Sequence, residues 1–371
     1  MAGIRMDRLL TITIPAYNAE AFLGKCLKSL LSCRLRKETE LLVIDDGSGD
    51  RTGQIADAYA ERYPDIVRVI HKENGGHGSG INAGIAAARG KYFRIVDSDD
   101  TVDSRAYEAW LQKLKQIDSD LIVTPFVRVR AGSEKPPRAE RKTAGRAGEE
   151  NKIAQRVRML PWWKKTRGRE ELRPPEGAEG LPGESVLDFE AVSEHLFVRM
   201  HECTFRTSIL REHSIRMSEH SFYVDMQYIL FPVPWLRTCC FLDFPVYRYH
   251  LGDENQSVSV KNMQKNRGQH HRVLRSLVRF YRERAQAGDS EKRLAYLARG
   301  IAKMQANQVQ TTLSLPVCRA AKRELITAEQ WLKRECPAAW NANEKKSLWL
   351  LRRSGYRLYG AAAAVWRIVK L

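Results

Sequence analysis

Four apolar runs in the first hundred residues each end in a polar or glycine-rich turn, and this alternation restricts the chain to a fold of strands and helices in turn. Leu9 to Asn18 reads LLTITIPAYN, and a helical spacing follows through Phe22, Leu23, Leu27, Leu30 and Leu31. Glu40 to Asp50, ELLVIDDGSGD, repeats the design with a carboxylate pair in its turn. IVRVI (Ile66 to Ile70) leads into NGGHGSGINAGIAAARG (Asn74 to Gly90), and KYFRIV then delivers DSDD. This spacing predicts a mostly parallel sheet with helices on both faces, in which ligands bind beyond the carboxyl ends of the strands. Pro15 to Asn18, Asp45 to Ser48 and Asp97 to Asp100 are therefore expected to share one crevice.

The last of these turns carries most of the chemistry. Asp97, Asp99 and Asp100 lie within four positions. Carboxylates that close repel one another unless a cation or donors compensate them, and hard oxygen ligands suit Mg²⁺ or Mn²⁺. The competing reading is a helix start, because Asp100, Thr101, Asp103 and Ser104 are all capping residue types. The upstream turns favour a nucleotide site with a metal beside it.

The set PAYN, DDGSGD, ENGGHGSGINAGI and VDSDD resembles glycosyltransferase family 2, closely over about the first 130 residues and more loosely from His201 to Ser259. The resemblance implies the GT-A fold, an α/β architecture, and an inverting enzyme that moves a sugar from a nucleotide donor to an acceptor hydroxyl with a divalent metal. It implies that Pro15, Ala16 and Tyr17 border the base and ribose. Asp46 would accept from the ring N–H of a uracil-type base, with Asp45 adjacent. Asp97 and Asp99 match the metal motif, Asp99 as the direct ligand with Asp100 beside it, and Ser98 lies between them on the donor. His77 and Asn82 are further donor-site candidates, since Ile81 stands where many relatives have a basic residue. A metal on the two phosphates would neutralise the charge that builds on the departing nucleoside diphosphate.

The glycines from Gly75 to Gly84 admit two readings, a phosphate cradle or close helix-to-sheet packing, the latter favoured for Gly84. An inverting displacement also needs a base for the acceptor proton. SEHSFYVDMQYILFP (Ser218 to Pro232) resembles the segment that supplies it, which nominates Asp225, with Glu219 in reserve and an exposed helix-turn residue as the bland alternative. Val224 stands where the family often has Glu. Arg248, His250, Gln256 and Ser257, in PVYRYHLGDENQSVS, are candidates for the diphosphate or acceptor, and His201 for an acceptor contact or plain packing.

The expected division is a donor half at 1–130, a polar insertion whose composition suits a mobile segment at 131–185, an acceptor-side half at 186–260 and a helical region at 261–371. Net charge is +18, and residues 1–130 carry nineteen basic against eighteen acidic groups, so the excess lies downstream. Lys345 to Leu371 holds seven basic residues, no acidic one and four aromatics, as in a helix that rests on an anionic membrane or packs on its own protein. Nucleic acid is not an expected partner, since no recognised motif accompanies the charge. The expected partners are a nucleotide-sugar donor, UDP favoured, and a glycan or lipid-linked glycan acceptor. Seven cysteines without CxxC spacing and an N-terminus without a long apolar segment point to a reducing cytoplasm, with a peripheral place on the inner membrane face as the further expectation. Rivals are a catalytically silent scaffold of the same fold and a sugar-1-phosphate nucleotidyltransferase, although PAYNAEAF lacks the latter's glycine-rich loop.

Overall fold

In the computed structural model, residues 8–130, 166–167, 170–173, 175–178, 183–251 and 259–370 are described. Residues 8–130 run β1 (Arg8–Ala16), α1 (Leu23–Leu31), β2 (Thr39–Asp45), α2 (Thr52–Arg62), β3 (Val67–His71), α3 (His77–Ala87), β4 (Gly90–Ile95), β5 (Thr101–Val102), α4 (Ser104–Leu114), β6 (Leu121–Val123) and β7 (Phe126–Arg130). Then come β8 (Thr166–Arg167), β9 (Glu170–Arg173), β10 (Val186–Asp188), α5 (Phe189–Ser193), β11 (Cys203–Arg206), α6 (Thr207–Glu212), α7 (Asp225–Leu230), β12 (Thr238–Phe241) and β13 (Tyr247–Leu251). The remainder is helical: α8 (Val260–Lys265), α9 (Arg267–Gln286), α10 (Glu291–Ser314), α11 (Arg319–Glu335), α12 (Pro337–Asn341), α13 (Lys346–Arg353) and α14 (Tyr359–Lys370).

The main sheet has eight strands in the order β10-β12-β6-β11-β4-β1-β2-β3. Its half formed by β4, β1, β2 and β3 is wholly parallel, as the alternation of strands and helices requires. β11 enters antiparallel between β4 and β6, and this brings the acceptor-side residues alongside the donor half. Buried on both faces, β1 and β2 are near-continuous apolar runs, with Leu10, Ile12, Ile14, Leu42, Val43 and Ile44 fully enclosed. The helix α3 can lie flat on β1 because Gly84 has no side chain: a Cβ there would come within 2.2 Å of Thr13 Oγ1. That is the packing role expected for this glycine.

A second sheet of five strands, β5-β13-β7-β9-β8, crosses the chain far from its neighbours in sequence. β13 pairs in parallel with β7 and antiparallel with β5, so Tyr247 and Arg248 lie opposite Val102 and Thr101, just past the acidic turn. β8 and β9 fall inside the stretch expected to be an insertion and extend this sheet; most of that stretch, 131–165 included, lies outside the described residues. EELR carries no apolar alternation, so its pairing between β7 and β8 has no local signal in the sequence.

In the helical region α10 is the axis, with Tyr296, Leu297, Ile301 and Met304 buried against Leu230, Val273 and Leu277. The basic C-terminal stretch packs on the protein: Leu348, Leu351, Tyr359 and Ala363 join Val309, Leu313, Ala321 and Leu325 in a separate core. Arg352 Nε lies 2.6 Å from Glu329, which is fully buried, and Gln305 donates to the same carboxylate at 2.8 Å. A buried carboxylate so bracketed ties α13 to α10 and α11.

Candidate active site

The three turns do meet, but they are built differently. At the end of β2 the carboxylates are answered by donors from the same neighbourhood. Asp46 is buried; its Oδ1 accepts from Lys72 Nζ at 2.7 Å and from the Gly75 amide at 3.0 Å, and its Oδ2 accepts from the Gly76 amide at 2.7 Å. Gly76 can present that amide because it adopts φ 80° as the cap of α3, in the left-handed region that favours glycine. Asp46 is expected to meet a nucleotide base; in the structure its carboxylate has three internal donors, which fix the glycine turn to β2.

Asp45 contacts His71 Nδ1 at 2.9 Å and accepts from the Ser48 amide at 3.1 Å, while His71 Nε2 lies 3.0 Å from Asp57. Burial works to raise the Asp45 pKa, but the Ser48 and His71 hydrogen bonds bring it below the ordinary value. The hydrogen bonds from Asp45 and then Asp57 raise that of His71.

In the first turn the Pro15 and Ala16 side chains point into the protein, Pro15 toward Gly80 and Ala16 into the core, so any ligand contact from this pair must come from the backbone. Tyr17 is the exposed ring, with 55% of its surface open. Asn82, a donor-site candidate, has partners within the protein. Its amide donates to the Met217 carbonyl at 3.0 Å and accepts from the Met217 amide at 2.7 Å, so it joins α3 to the segment before Asp225. Glu219, the reserve base, takes a further bond from Asn82 and pairs with Arg216.

The turn after β4 has the opposite character. Helix α4 is capped by Asp103, which accepts from the Arg105 and Ala106 amides, so the capping reading belongs to that residue and leaves the upstream carboxylates for another task. Asp97 lies 2.9 Å from His77 Nε2. Asp100, 1% exposed, accepts from the Tyr247 hydroxyl at 2.5 Å and from the His250 amide at 2.7 Å, and the Tyr247 oxygen accepts from the Asp97 amide at 3.2 Å. Burial, and then the charges of Asp99 and Asp97, push the Asp100 carboxyl well above the usual range. For Asp97 burial opposes ionisation, but the His77 hydrogen bond and charge hold its pKa below normal.

His201 completes this corner. Its ring stacks on Tyr249 with centroids 4.5 Å apart and meets Tyr247 edge-on at 4.7 Å. Burial pushes its pKa down to about 4, so the imidazole is neutral near pH 7 and able to ligate. One ligand atom each from Asp97, Asp100 and His201 fall within 4.8 Å of one another. Two carboxylate oxygens and a neutral imidazole fit a divalent cation such as Mn²⁺, and a cation there would remove the repulsion around Asp100. Asp99 is half-buried beside this cluster.

Beneath the cluster Arg94 is buried: it donates to the Thr204 hydroxyl at 2.9 Å and to the His201 carbonyl, and its guanidinium lies over the Trp110 and Tyr247 rings. Asp225 opens α7 within electrostatic reach of both His77 and Asp97. Burial raises its pKa; the Met226 amide and His77 oppose that, and Asp97 adds to it. The residues before it are held in unusual backbone, His220 at φ 50° and Tyr223 at φ 67°. His250 reaches Thr101 at 2.8 Å, Ser98 is half-buried, and Gln256 and Ser257 lie outside the described residues.

Residues 11–179 match the family profile described as Glycosyl transferase family 2. Over those residues the chain is similar to this family. Among curated relatives, the uncharacterized glycosyltransferase EpsJ of Bacillus subtilis is 41% identical over 121 residues, 33% of this chain and 35% of that protein. GlyG of Streptococcus pneumoniae, a glycosyltransferase, is 36% identical over 119 residues, 32% of this chain and 39% of that protein. The chain thus spans little more than a third of the length of these relatives. Staphylococcus aureus TarS 1–349, solved in complex with UDP-GlcNAc, superposes with TM-score 0.57 at 16% identity, covering 94% of this chain and 92% of that one. The fold is GT-A, with a mostly parallel central sheet and a helical C-terminal region.

Proposed function

We propose that this chain is an inverting family 2 glycosyltransferase that moves a sugar from a nucleotide-diphosphate donor, UDP favoured, to an acceptor hydroxyl in the synthesis of a surface polysaccharide or other glycoconjugate. The observation that carries this reading is the corner formed by Asp97, Asp100 and His201 at the end of β4, with Asp225 in reach. Supporting it are the match over 11–179 and the nucleotide sugar in the TarS structure.

Tyr17, exposed at the end of β1, offers its ring to the base. Asp97, Asp100 and His201, with Asp99 beside them, would hold a Mn²⁺ or Mg²⁺, which when bound neutralises charge on the diphosphate. His77 opens α3, where backbone amides and the helix dipole favour an anion such as the departing diphosphate; its pKa is raised, with burial opposing and the Asp97 hydrogen bond prevailing. Asp225 takes the acceptor proton, and its raised pKa makes it a stronger base than an exposed aspartate. Its neighbour Phe222 is exposed at the mouth of the acceptor side.

Attachment to an anionic membrane surface fits the outward face of α13 and α14, where Trp349, Leu350, Val365 and Ile368 are exposed among basic side chains. None of the described helices is long and apolar enough to cross a membrane.

UDP release from a panel of UDP-sugars, with and without Mn²⁺, tests the reading. The expected result is metal-dependent release by the wild type, reduced at least about 100-fold in Asp225→Asn with nucleotide binding unchanged. Metal-independent release, or full activity in the variant, would overturn it. A catalytically silent scaffold would bind without release in either protein.

A further inference from the structure

The outer face of α9 carries a line of arginines that the donor site does not use. Arg272, Arg275, Arg279 and Arg282 are all exposed, and their spacing puts them within one stripe along the helix. The stripe begins at the acceptor side, where Arg272 donates to the His220 carbonyl at 3.3 Å and the neighbouring Gln269 accepts from the Phe222 amide at 2.9 Å, both in the segment that leads to Asp225. From there it runs about 15 Å along the helix.

The far part of the stripe borders a groove of about 540 Å³ between α9 and α11, lined by Arg275, Arg279, Arg282, Arg334 and Trp331. Arg275 lies over the Trp331 ring, 5.6 Å from its centroid. Two carboxylates also face the groove: Glu283, 3.8 Å from Arg279, and Glu335, 2.9 Å from both Arg282 and Arg334. Four guanidinium groups against two carboxylates leave a net positive lining. The arginines around this indole offer forked donors for phosphate or carboxylate oxygens. The volume is within the range of small-ligand clefts and accommodates one or two sugar units.

Resting on the transferase reading above, we propose that this groove and stripe form an extended acceptor track, and that the acceptor is an anionic glycan chain bearing phosphodiester or carboxylate groups. Its growing end lies at Asp225 and its earlier units follow α9.

The test compares the wild type with Arg275→Glu/Arg279→Glu, both positions being exposed and outside the donor site. The probes are end-labelled glycerol phosphate and galacturonate oligomers, a malto-oligosaccharide of equal length, and phosphatidylcholine vesicles with or without phosphatidylglycerol. Anisotropy should show anionic oligomers binding at least tenfold more tightly than the neutral one, weakening as salt rises, with at least tenfold loss in the variant and UDP binding unchanged. Equal affinity for charged and neutral oligomers, or an undiminished variant, would overturn the proposal. So would a variant-sensitive affinity confined to phosphatidylglycerol vesicles, which would make this face a lipid surface. If UDP binds neither protein while the anionic oligomers still discriminate, the donor reading fails and the track stands.

Discussion

The turns after β2 and β4 look alike in sequence, an apolar strand ending in adjacent aspartates, yet they are neutralised in opposite ways. Asp46 meets a lysine and two backbone amides and Asp45 meets a histidine shared with Asp57, so the first turn is compensated from within. At the second turn Asp97 has His77, while Asp100 has a phenol and an amide, and Asp99 raises the charge further. A carboxylate pair at a strand end is thus a structural brace or a cation site according to the donors that other segments bring to it.

The largest expected effect on stability lies in the first turn. Asp46→Ala removes the carboxylate partner of Lys72 and the acceptor of the Gly75 and Gly76 amides, and should cost about 3 kcal/mol in urea unfolding. Asp97→Ala, which relieves repulsion, should change stability by less than about 1 kcal/mol. Equal losses would erase the contrast.

Tyr247→Phe sharpens it from the other side. The hydroxyl touches Asp100 and the Asp97 amide, so its removal should weaken Mn²⁺ binding about tenfold, as for other groups that orient ligands, while UDP binding without metal is unaltered. A parallel loss of metal-free UDP binding would mean that the residue merely supports the fold.

The smallest effect is the pH response of the first turn. The pKa of His71 is raised in the folded state, so its contribution to stability is complete below its unfolded value, about 6.5, and disappears as pH rises through the higher folded value. Asp45 is depressed, so its contribution is present above the ordinary carboxylate value and disappears as pH falls through the lower folded one. His71→Gln should abolish the alkaline loss. Half-exposed and solvent-screened, His71 should account for less than about 1 kcal/mol in unfolding curves between pH 6 and 9.

Much of this architecture was legible in the sequence, because strand ends, glycine turns and helical spacing are local signals. The strands, the packing of Gly84 and the convergence of the three turns follow from them. Partners at long range were not legible. Tyr247 reaches Asp100 across 147 positions, Asn82 reaches Met217 across 135, and Arg94 reaches His201 across 107. Nothing local distinguishes Asn82 as a tie between segments from Asn82 as a ligand contact, nor Asp46 in a brace from Asp46 at a base. The parallel pairing of β13 with β7 determines which residue of PVYRYH meets the acidic turn, and the period of the strand alone cannot state it.

Mn²⁺ binding at saturating UDP, counted by the loss of the free-ion paramagnetic resonance signal, tests the difference between the two turns most directly. One site in the wild type that vanishes in Asp97→Asn/Asp100→Asn, while both proteins keep their fold, is the expected result. Retention of that site in the double variant, or no Mn²⁺ bound by the wild type, would contradict it.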